Sequence, residues 1–256
     1  MKFHKPQFWD KKISFLSLIL YPLSLITIFI FKLKKILIKQ QKFKLPIICV
    51  GNIYLGGTGK TPLSILLSKE LNKFGKKPGI VRKFYQSHKD EYLLIEKYSN
   101  NLILRKNRIT GILEAEKKFD AIILDDGFQD FKIKKDLNIL CFNQKQLIGN
   151  GLIIPAGPLR ENLNSVKNAS IIVINGKKHE NFENKLLNFN KNLKFFYSNY
   201  KPLNLNGFQN EKLLVYAGIG NPNNFFDLLT KNNLKIQKKF VFPDHHELSE
   251  EELLKI

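Results

Sequence analysis

Short apolar runs, separated by polar turns and helical stretches, make up most of the chain after residue 44. The run at 45–50 (LPIICV) ends at Gly51, which is typical of a buried parallel strand, and a helical stretch follows at 61–74. Further runs predict strands at 78–81, 102–104, 121–124, 137–142, 170–174, 193–197 and 212–216, with helical stretches between several of them, notably 112–119 and 224–229. This alternation predicts an α/β fold, a mostly parallel sheet with helices on both faces.

One apolar run near the N-terminus is much longer than the rest. Residues 13–31 contain no charged side chain, and about twenty apolar residues are needed to cross the hydrocarbon core of a bilayer. Lysines flank both ends, and the larger cluster follows the run, which favours a cytoplasmic location for the remainder of the chain. No small-residue cleavage site follows, so we expect a membrane-anchoring helix rather than a signal peptide. Because Pro22 lies in mid-run, both a spanning and an interfacial helix stay open.

Composition limits the classes of function. The 256 residues include 42 basic and 22 acidic side chains, a formal net charge of +20. Only four of the basic residues are Arg, whereas surfaces that bind nucleic acid favour Arg, and residues 1–44 hold ten Lys against one acid. We therefore expect a membrane surface, and no nucleic acid, as the partner of this charge. The two cysteines lie far apart in apolar runs, which excludes a disulfide scaffold.

A glycine-rich loop lies between the first strand and the helix that follows it. It begins at Gly51 and ends in Gly59-Lys60-Thr61, the context in which a phosphate-binding loop is expected. Its backbone N–H groups would cradle phosphate oxygens, Lys60 would reach the β- and γ-phosphates, and the Thr61 hydroxyl would ligate Mg²⁺. The usual pattern has a glycine where this chain has Tyr54. The predicted nucleotide-binding residues are Gly56, Gly57, Thr58, Gly59, Lys60 and Thr61.

Two adjacent carboxylates follow the strand predicted at 121–124. Asp125 and Asp126 lie at the carboxyl end of that strand, where α/β sheets bind ligands, so either could hold Mg²⁺ directly or through water. Asp-Asp-Gly alone is more often a turn, but the phosphate loop upstream favours the metal-binding interpretation. The loop and the acidic pair together predict a protein that binds a nucleoside triphosphate with Mg²⁺.

Three weaker clusters complete the pattern: GNGLIIPAGPLRE at 149–161, AGIGNP at 217–222 and FPDHH at 242–246. With VGNIYLGGTGKTP and LDDGFQ, and in this order, they resemble the tetraacyldisaccharide 4′-kinase family of Gram-negative bacteria. The resemblance implies a phosphate-loop NTPase fold, ATP and Mg²⁺, and phosphorylation of the 4′-hydroxyl of an acylated glucosamine disaccharide 1-phosphate, a lipid A precursor. It also implies attachment to the cytoplasmic face of the inner membrane.

The resemblance further implies roles for individual residues. The implied metal ligands are Thr61, Asp125, Asp126 and Glu161. Asp90 matches an aspartate that works with a histidine to activate the sugar hydroxyl, since a carboxylate can keep an imidazole basic. That histidine would be His245, with His246 as the open alternative, and Lys60 completes the catalytic set. The implied substrate contacts are Tyr85 and Arg160.

The chain departs from the family pattern at three places. The family's Ser-Arg-Gly-Tyr is here Arg82-Lys83-Phe84-Tyr85, and the loop from there to Asp90 is shorter. Asp130 follows the acidic motif where the family has His. Residues 248–252 form a helix start with a capping box, and only four residues follow, so we expect the smaller C-terminal lobe to be incomplete.

The sequence thus predicts three segments in a monomer: a membrane-anchoring helix with basic flanks at 1–44, a phosphate-loop kinase core at 45–180 and a smaller α/β lobe at 181–256. The alternative hypothesis is a membrane-associated phosphate-loop ATPase that acts as a switch on a protein partner. That class has a Lys two residues into its loop, where this chain has Leu55. Hydrolysis of ATP stimulated by a protein, and not by the lipid, would favour the alternative.

Overall fold

The computed structural model describes residues 5–11, 14–244, 246 and 248–254. The chain divides into a large compact unit, which extends from Gln7 to Ser198, and a small unit that comprises the residues from Asn199 onwards together with those up to Pro6. The phosphate loop, the acidic pair and the segment 149–161 all belong to the large unit.

Seven parallel strands form the sheet of the large unit. They are β1 (Ile47–Gly51), β2 (Pro78–Lys83), β3 (Leu102–Arg105), β4 (Ala121–Asp125), β5 (Leu137–Asn143), β6 (Ile171–Asn175) and β7 (Lys194–Ser198). Their order across the sheet is β3-β2-β4-β1-β5-β6-β7. The chain leaves β1 towards β2 on one side and leaves β4 towards β5 on the other, so the carboxyl ends of β1 and β4 flank the crevice at which α/β sheets bind ligands.

Helices pack on both faces of this sheet. The helices of the large unit are α1 (Phe15–Leu37), α2 (Lys60–Lys73), α3 (Lys89–Tyr98), α4 (Arg108–Ala115) and α5 (Glu180–Leu187). Ile65 of α2 and Ile95 of α3 share an apolar cluster with Ile123 of β4, whereas Ile112 of α4 shares another with Leu124. Because successive strand residues point to opposite faces, these two clusters lie on opposite sides of the sheet. The predicted fold class is therefore confirmed.

Three boundaries differ from the expectation. Helix α4 begins after Asn107, whose side chain accepts a hydrogen bond from the N–H of Ile109, and it ends at Ala115, before the end of the predicted stretch 112–119. Helix α3 begins at Lys89, where the loop leading to Asp90 ends, and continues through a segment for which no helix was predicted. The boundary expected after residue 180 lies after Ser198, because β7 pairs with β6 and extends the main sheet.

Helix α1 has an inverted amphipathic pattern. Its buried residues are Ser17 and Ser24, while most of its large apolar side chains are exposed. The hydroxyl of Ser24 donates to the carbonyl oxygen of Ile153 (2.7 Å) and accepts from the N–H of Ala156 (3.1 Å). Within the described ranges, α1 is the one helix that is long and apolar enough to cross a membrane, judged by length and composition. Its polar side therefore packs on protein and its apolar side faces outwards.

The small unit contains β8 (Lys212–Ala217), α6 (Pro222–Lys231), β9 (Lys235–Val241) and α7 (Glu250–Leu254). Strands β8 and β9 are parallel, and Phe226 of α6 packs on Val215 and Ala217 of β8. The capping box predicted from the sequence is present at α7. The N–H of Glu252 donates to Ser249 Oγ (3.2 Å), and the N–H of Ser249 donates to Glu252 Oε2 (2.9 Å).

Candidate active site

The glycine-rich loop joins β1 to α2 at the carboxyl edge of the sheet. Gly59 has a φ of 87°, in the left-handed region that favours glycine, and Lys60 is the first residue of α2. The side-chain amide of the fully buried Asn52 donates to the carbonyl oxygen of Gly56 (3.2 Å) and to Thr58 Oγ1 (3.0 Å). These bonds fix the course of the loop in front of a helix N-terminus, where anions are stabilised.

Tyr54, which replaces the usual early glycine, is a structural part of the loop. Its side chain is fully buried, and its hydroxyl donates to Asp10 Oδ1 (2.7 Å). The N–H of the next residue, Leu55, donates to the carbonyl oxygen of Pro158 (2.8 Å). The segment 149–161 thus supports the phosphate loop through the hydrogen bond from Leu55. Together with the bond from Tyr54 to Asp10, this contact fixes the start of the loop without a glycine at position 54.

Asp125 is fully buried at the end of β4. Its Oδ1 accepts a hydrogen bond from the hydroxyl of Ser64 (2.9 Å), and its Oδ2 accepts one from Thr61 Oγ1 (3.4 Å). The guanidinium of Arg82 also contacts Oδ2. The hydroxyl and the carboxylate predicted to hold Mg²⁺ are therefore neighbours, but a cationic side chain already contacts them.

Asp126 has different partners from its neighbour. Its backbone adopts a φ of 53°, and its carboxylate lies 3.7 Å from Lys60 Nζ and accepts hydrogen bonds from Arg160 at 3.0 and 3.2 Å. Its carbonyl oxygen accepts from Arg108 (2.7 Å). Burial opposes ionisation of Asp126, but the charges of Lys60 and Arg160 outweigh it and lower the pKa of this carboxyl. Asp126 is therefore an anion held among cations.

Glu161 is held by Gln129, whose amide donates to Glu161 Oε1 (3.0 Å) and to the carbonyl oxygen of Asn52 (2.8 Å). Glu161 is 6% exposed, and burial raises the pKa of its carboxyl. Among the described residues, no group of three or more His, Cys, Asp and Glu side chains is arranged to hold a metal ion. Of the four predicted metal ligands, the structure brings Thr61 and Asp125 together, whereas Asp126 and Glu161 bond to other partners.

Asp90 and Glu91 lie in the first turn of α3. Glu91 contacts the guanidinium of Arg82, and its Oε1 lies 3.4 Å from Thr61 Oγ1. The acidic start of α3 is thus connected to the phosphate-loop helix through Arg82 and Thr61.

The histidines of the predicted catalytic pair fall in the small unit. His245 lies outside the described residues, so its pairing with Asp90 stays a prediction. His246 Nε2 lies 2.8 Å from Glu252 Oε2, and its ring stacks on Phe242 with the ring centroids 5.0 Å apart. His246 is therefore part of the packing around the capping box of α7.

A cavity of about 540 Å³ opens beside α1 and Asp126. The two predicted substrate contacts, Tyr85 and Arg160, both line it, so the structure brings them together. The ring of Tyr85 is 41% exposed and lies 5.1 Å, centroid to centroid, from that of His88. The other lining residues are Thr27, Phe31, Lys34, Ile38, Arg108, Asp126, Gln129, Asp130, Phe131, Lys132 and Ile154.

Three residues of the site, Ser64, Arg82 and Arg108, are not predicted by the sequence motifs. The scarcity of arginine was the signal that could have found two of them. The chain has four arginines, and three of them, Arg82, Arg108 and Arg160, contact the acidic pair. The fourth, Arg105, contacts Glu114.

Comparison with known proteins identifies the family. The family model described as tetraacyldisaccharide-1-P 4′-kinase matches residues 16–256. The chain belongs to this family. The resemblance found in the sequence motifs is therefore confirmed, and the family match favours the kinase over the switch ATPase.

Curated members of the family match almost the whole chain. The tetraacyldisaccharide 4′-kinase of Pelagibacter ubique is 41% identical over 260 residues, which cover 98% of this chain and 81% of the relative. That of Francisella tularensis subsp. novicida is 32% identical over 276 residues, which cover 94% and 85%. Among solved structures, LpxK from Aquifex aeolicus, in complex with ATP, matches with a TM-score of 0.69, 24% identity and coverage of 92% and 84%. That likeness shows that this kinase has the LpxK fold.

Proposed function

We propose that this kinase transfers the γ-phosphate of ATP to the 4′-hydroxyl of an acylated glucosamine disaccharide 1-phosphate, at the cytoplasmic face of the inner membrane. The observation that supports this most directly is the composition of one cavity. Residues of the apolar helix α1, such as Phe31 and Lys34, line it together with Asp126 and Arg160 from the phosphate-loop side. A lipid held against α1 would present its sugar headgroup to the phosphate-transfer site.

The nucleotide site is proposed at the loop between β1 and α2. The N–H groups of 56–59 would bind phosphate oxygens, and Lys60 would exchange Asp126 for the β- and γ-phosphates, since the two groups now lie 3.7 Å apart. Arg160, which donates to both carboxylate oxygens of Asp126, would likewise exchange Asp126 for a phosphate of the nucleotide. Asp126 would thus keep both cations in place until the more highly charged nucleotide arrives.

The residues present fit a Mg²⁺ ion. Thr61 Oγ1 and Asp125 Oδ2 are hard oxygen donors 3.4 Å apart, and Mg²⁺ usually takes one or two protein oxygens and completes its shell with phosphates and water. That preference also explains why the described part of the chain needs no cluster of three acids. When bound, Mg²⁺ neutralises the charge that develops on the transferred phosphoryl group.

The acceptor is proposed to bind in the cavity described above. Its apolar lining (Phe31, Ile38, Ile154) suits acyl chains, and its cationic residues (Lys34, Arg108, Lys132, Arg160) suit the phosphate of the substrate. Asp90 and His245 are proposed as the pair that takes the proton from the 4′-hydroxyl, with the carboxylate keeping the imidazole basic. As in other phosphoryl transfers, positioning and charge neutralisation would supply most of the rate enhancement.

Helix α1 is proposed as the membrane anchor of a monomeric enzyme. Its buried serines and exposed apolar side chains are the reverse of what water selects on a protein surface, and lysines follow its apolar part. Such a helix places the cavity beside the membrane that holds the substrate.

The test is phosphorylation of the disaccharide lipid by the purified, detergent-solubilised chain with [γ-³²P]ATP and Mg²⁺. Lys60→Ala should lower the rate by a factor on the order of a hundred or more, because it removes a cation aimed at developing charge. Lys73→Ala, at the exposed end of the same helix, is the matched control and should leave the rate unchanged. Failure of the wild-type chain to phosphorylate the lipid would contradict the proposal.

A further inference from the structure

Among the described residues, Arg82 is the one arginine that is buried, and it lies at the carboxyl edge of the sheet, where ligands bind. It lies near the end of β2 and is paired in register with Asp125 of β4. Its side chain is only 4% exposed, and its guanidinium lies 5.7 Å from the centroid of the Tyr92 ring. A buried guanidinium is costly unless it is paired, so its partners indicate its role.

The guanidinium bridges three elements. Its Nη1 contacts Asp125 at the end of β4 and donates to Thr61 Oγ1 of α2 (3.0 Å). Its Nη2 contacts Glu91 of α3 and lies 3.3 Å from His88 Nδ1. One positive charge is therefore shared between two carboxylates on opposite ends of the same planar fork.

The atoms that Nη1 contacts are the donors assigned above to the divalent cation. Asp125 Oδ1 is already bonded to Ser64, which leaves Oδ2 as the oxygen shared by Thr61 and Arg82. A guanidinium and a divalent cation bound to these same two oxygens would lie close together and repel each other. Either the arginine or the cation neutralises this corner of the site.

We propose that Arg82 is an internal counter-ion that competes with the divalent cation for Asp125 and Thr61. When the cation displaces the guanidinium from these two residues, Glu91 continues to hold the guanidinium. The inference rests on the cation site of the proposed function. It makes Arg82 a positioning residue that sets the cation concentration the site requires. It also couples occupancy of the site to α3, because Glu91 and Asp90 share the first turn of that helix.

The test measures binding of Mn²⁺ alone to the metal-free full chain in detergent, by the loss of the electron paramagnetic resonance signal of free Mn²⁺. Arg82→Ser should bind Mn²⁺ about tenfold more tightly than the wild type, because it removes a competing positive charge at the ligands. Glu91→Gln should bind more weakly, by a few-fold, because the guanidinium then has only Asp125 as a carboxylate partner. Arg105→Ser, which breaks the contact with Glu114 instead, is the matched control and should match the wild type.

The opposite signs of the two variants separate competition from a purely structural role, which would weaken binding in both. Arg82→Lys keeps the charge but loses the planar fork. Where the serine variant does not fold, the lysine variant should therefore bind Mn²⁺ more tightly than the wild type, by less than about tenfold. Arg82 variants that bind Mn²⁺ no more tightly than the wild type would overturn the inference, whether or not the wild type phosphorylates the lipid. Tighter Mn²⁺ binding in a chain that leaves the lipid unmodified would support the inference and contradict the proposed kinase activity.

Discussion

The regions around Asp125 and Asp126 differ in physical character although the two residues are adjacent in the chain. Around Asp125 the site is closed: the carboxylate is fully buried and its partners are Ser64, Thr61 and Arg82. Around Asp126 it is open, since that residue lines the cavity beside α1. The alternation of side chains along β4, followed by the positive φ of Asp126, gives two acids of one motif two environments. Folding alone supplies the first region with a counter-ion, Arg82, whereas the second region opens directly onto the cavity.

The sharpest test of this difference is the stability of two alanine variants. Asp125→Ala should lower the free energy of unfolding by about 3–5 kcal/mol, because it removes one partner of a buried ion pair and leaves Arg82 with Glu91 as its carboxylate partner. Asp126→Ala should cost less, about 1 kcal/mol, since Arg160 lines the cavity and can turn towards it. Urea unfolding of the metal-free protein in detergent measures both. Equal losses would mean that the two regions do not differ as described.

At Arg160, in the open region, a substitution should affect catalysis much more than it affects stability. Arg160→Ala should lower kcat for lipid phosphorylation about a hundredfold, because a cation aimed at the transferred phosphate is lost. Its stability should stay within about 0.5–1 kcal/mol of the wild type, as expected for a partly exposed side chain at a cavity. Steady-state kinetics and urea unfolding on the same preparation check both parts. A variant that loses stability without losing kcat would place Arg160 in the closed region.

Bonds inside the closed region should have smaller but measurable effects. Ser64→Ala should cost about 1–2 kcal/mol, because it leaves Oδ1 of a buried carboxylate without its donor. Ser68→Ala, one turn later in α2, is the matched control. Ser68 is equally buried but bonds the neutral hydroxyl of Ser99, so its loss should cost less. If the two variants are equally stable, the bond to Asp125 has no special weight.

The sequence predicted the open region better than the closed one. Lys60, Asp126 and Arg160 belong to contiguous motifs whose spacing is visible in the chain, and they meet because their strand and loops end at one edge of the sheet. Arg82 faces Asp125 only because β2 pairs with β4 in a particular register, which no local pattern specifies. The contact between Arg82 and Asp125 depends on strand pairing, and it is therefore one that the sequence does not predict.

The same distinction applies to the secondary structure. Buried parallel strands such as β1 and β4 are short apolar runs and were predicted nearly to their ends. Strand β9 (KIQKKFV) was not predicted, because three lysines interrupt its apolar positions and its side chains are largely exposed. Helix α3 buries only Tyr92 and Ile95, too few to show a helical period.

The smallest effect expected is a difference in pH dependence across the site. The pKa of Glu161 is raised by burial, so its contribution to stability is fully present below the unfolded value of 4.5 and is lost as the pH rises through the folded pKa. The pKa of Asp126 is lowered, so its contribution is present above the unfolded value of 3.8 and is lost as the pH falls towards the folded pKa. The two carboxyls should therefore act in opposite directions.

Urea unfolding of metal-free Glu161→Gln and Asp126→Asn at several pH values tests this. Relative to the wild type, Glu161→Gln should gain stability as the pH rises above about 4.5, because glutamine cannot ionise in that buried position. Asp126→Asn should lose stability relative to the wild type at neutral pH, and the deficit should shrink as the pH falls below about 4. If the two variants instead give parallel curves of stability against pH, Lys60 and Arg160 stabilise the charge of Asp126 no more than Gln129 stabilises that of Glu161. The contrast between an acid held by cations and an acid held by an amide would then fail.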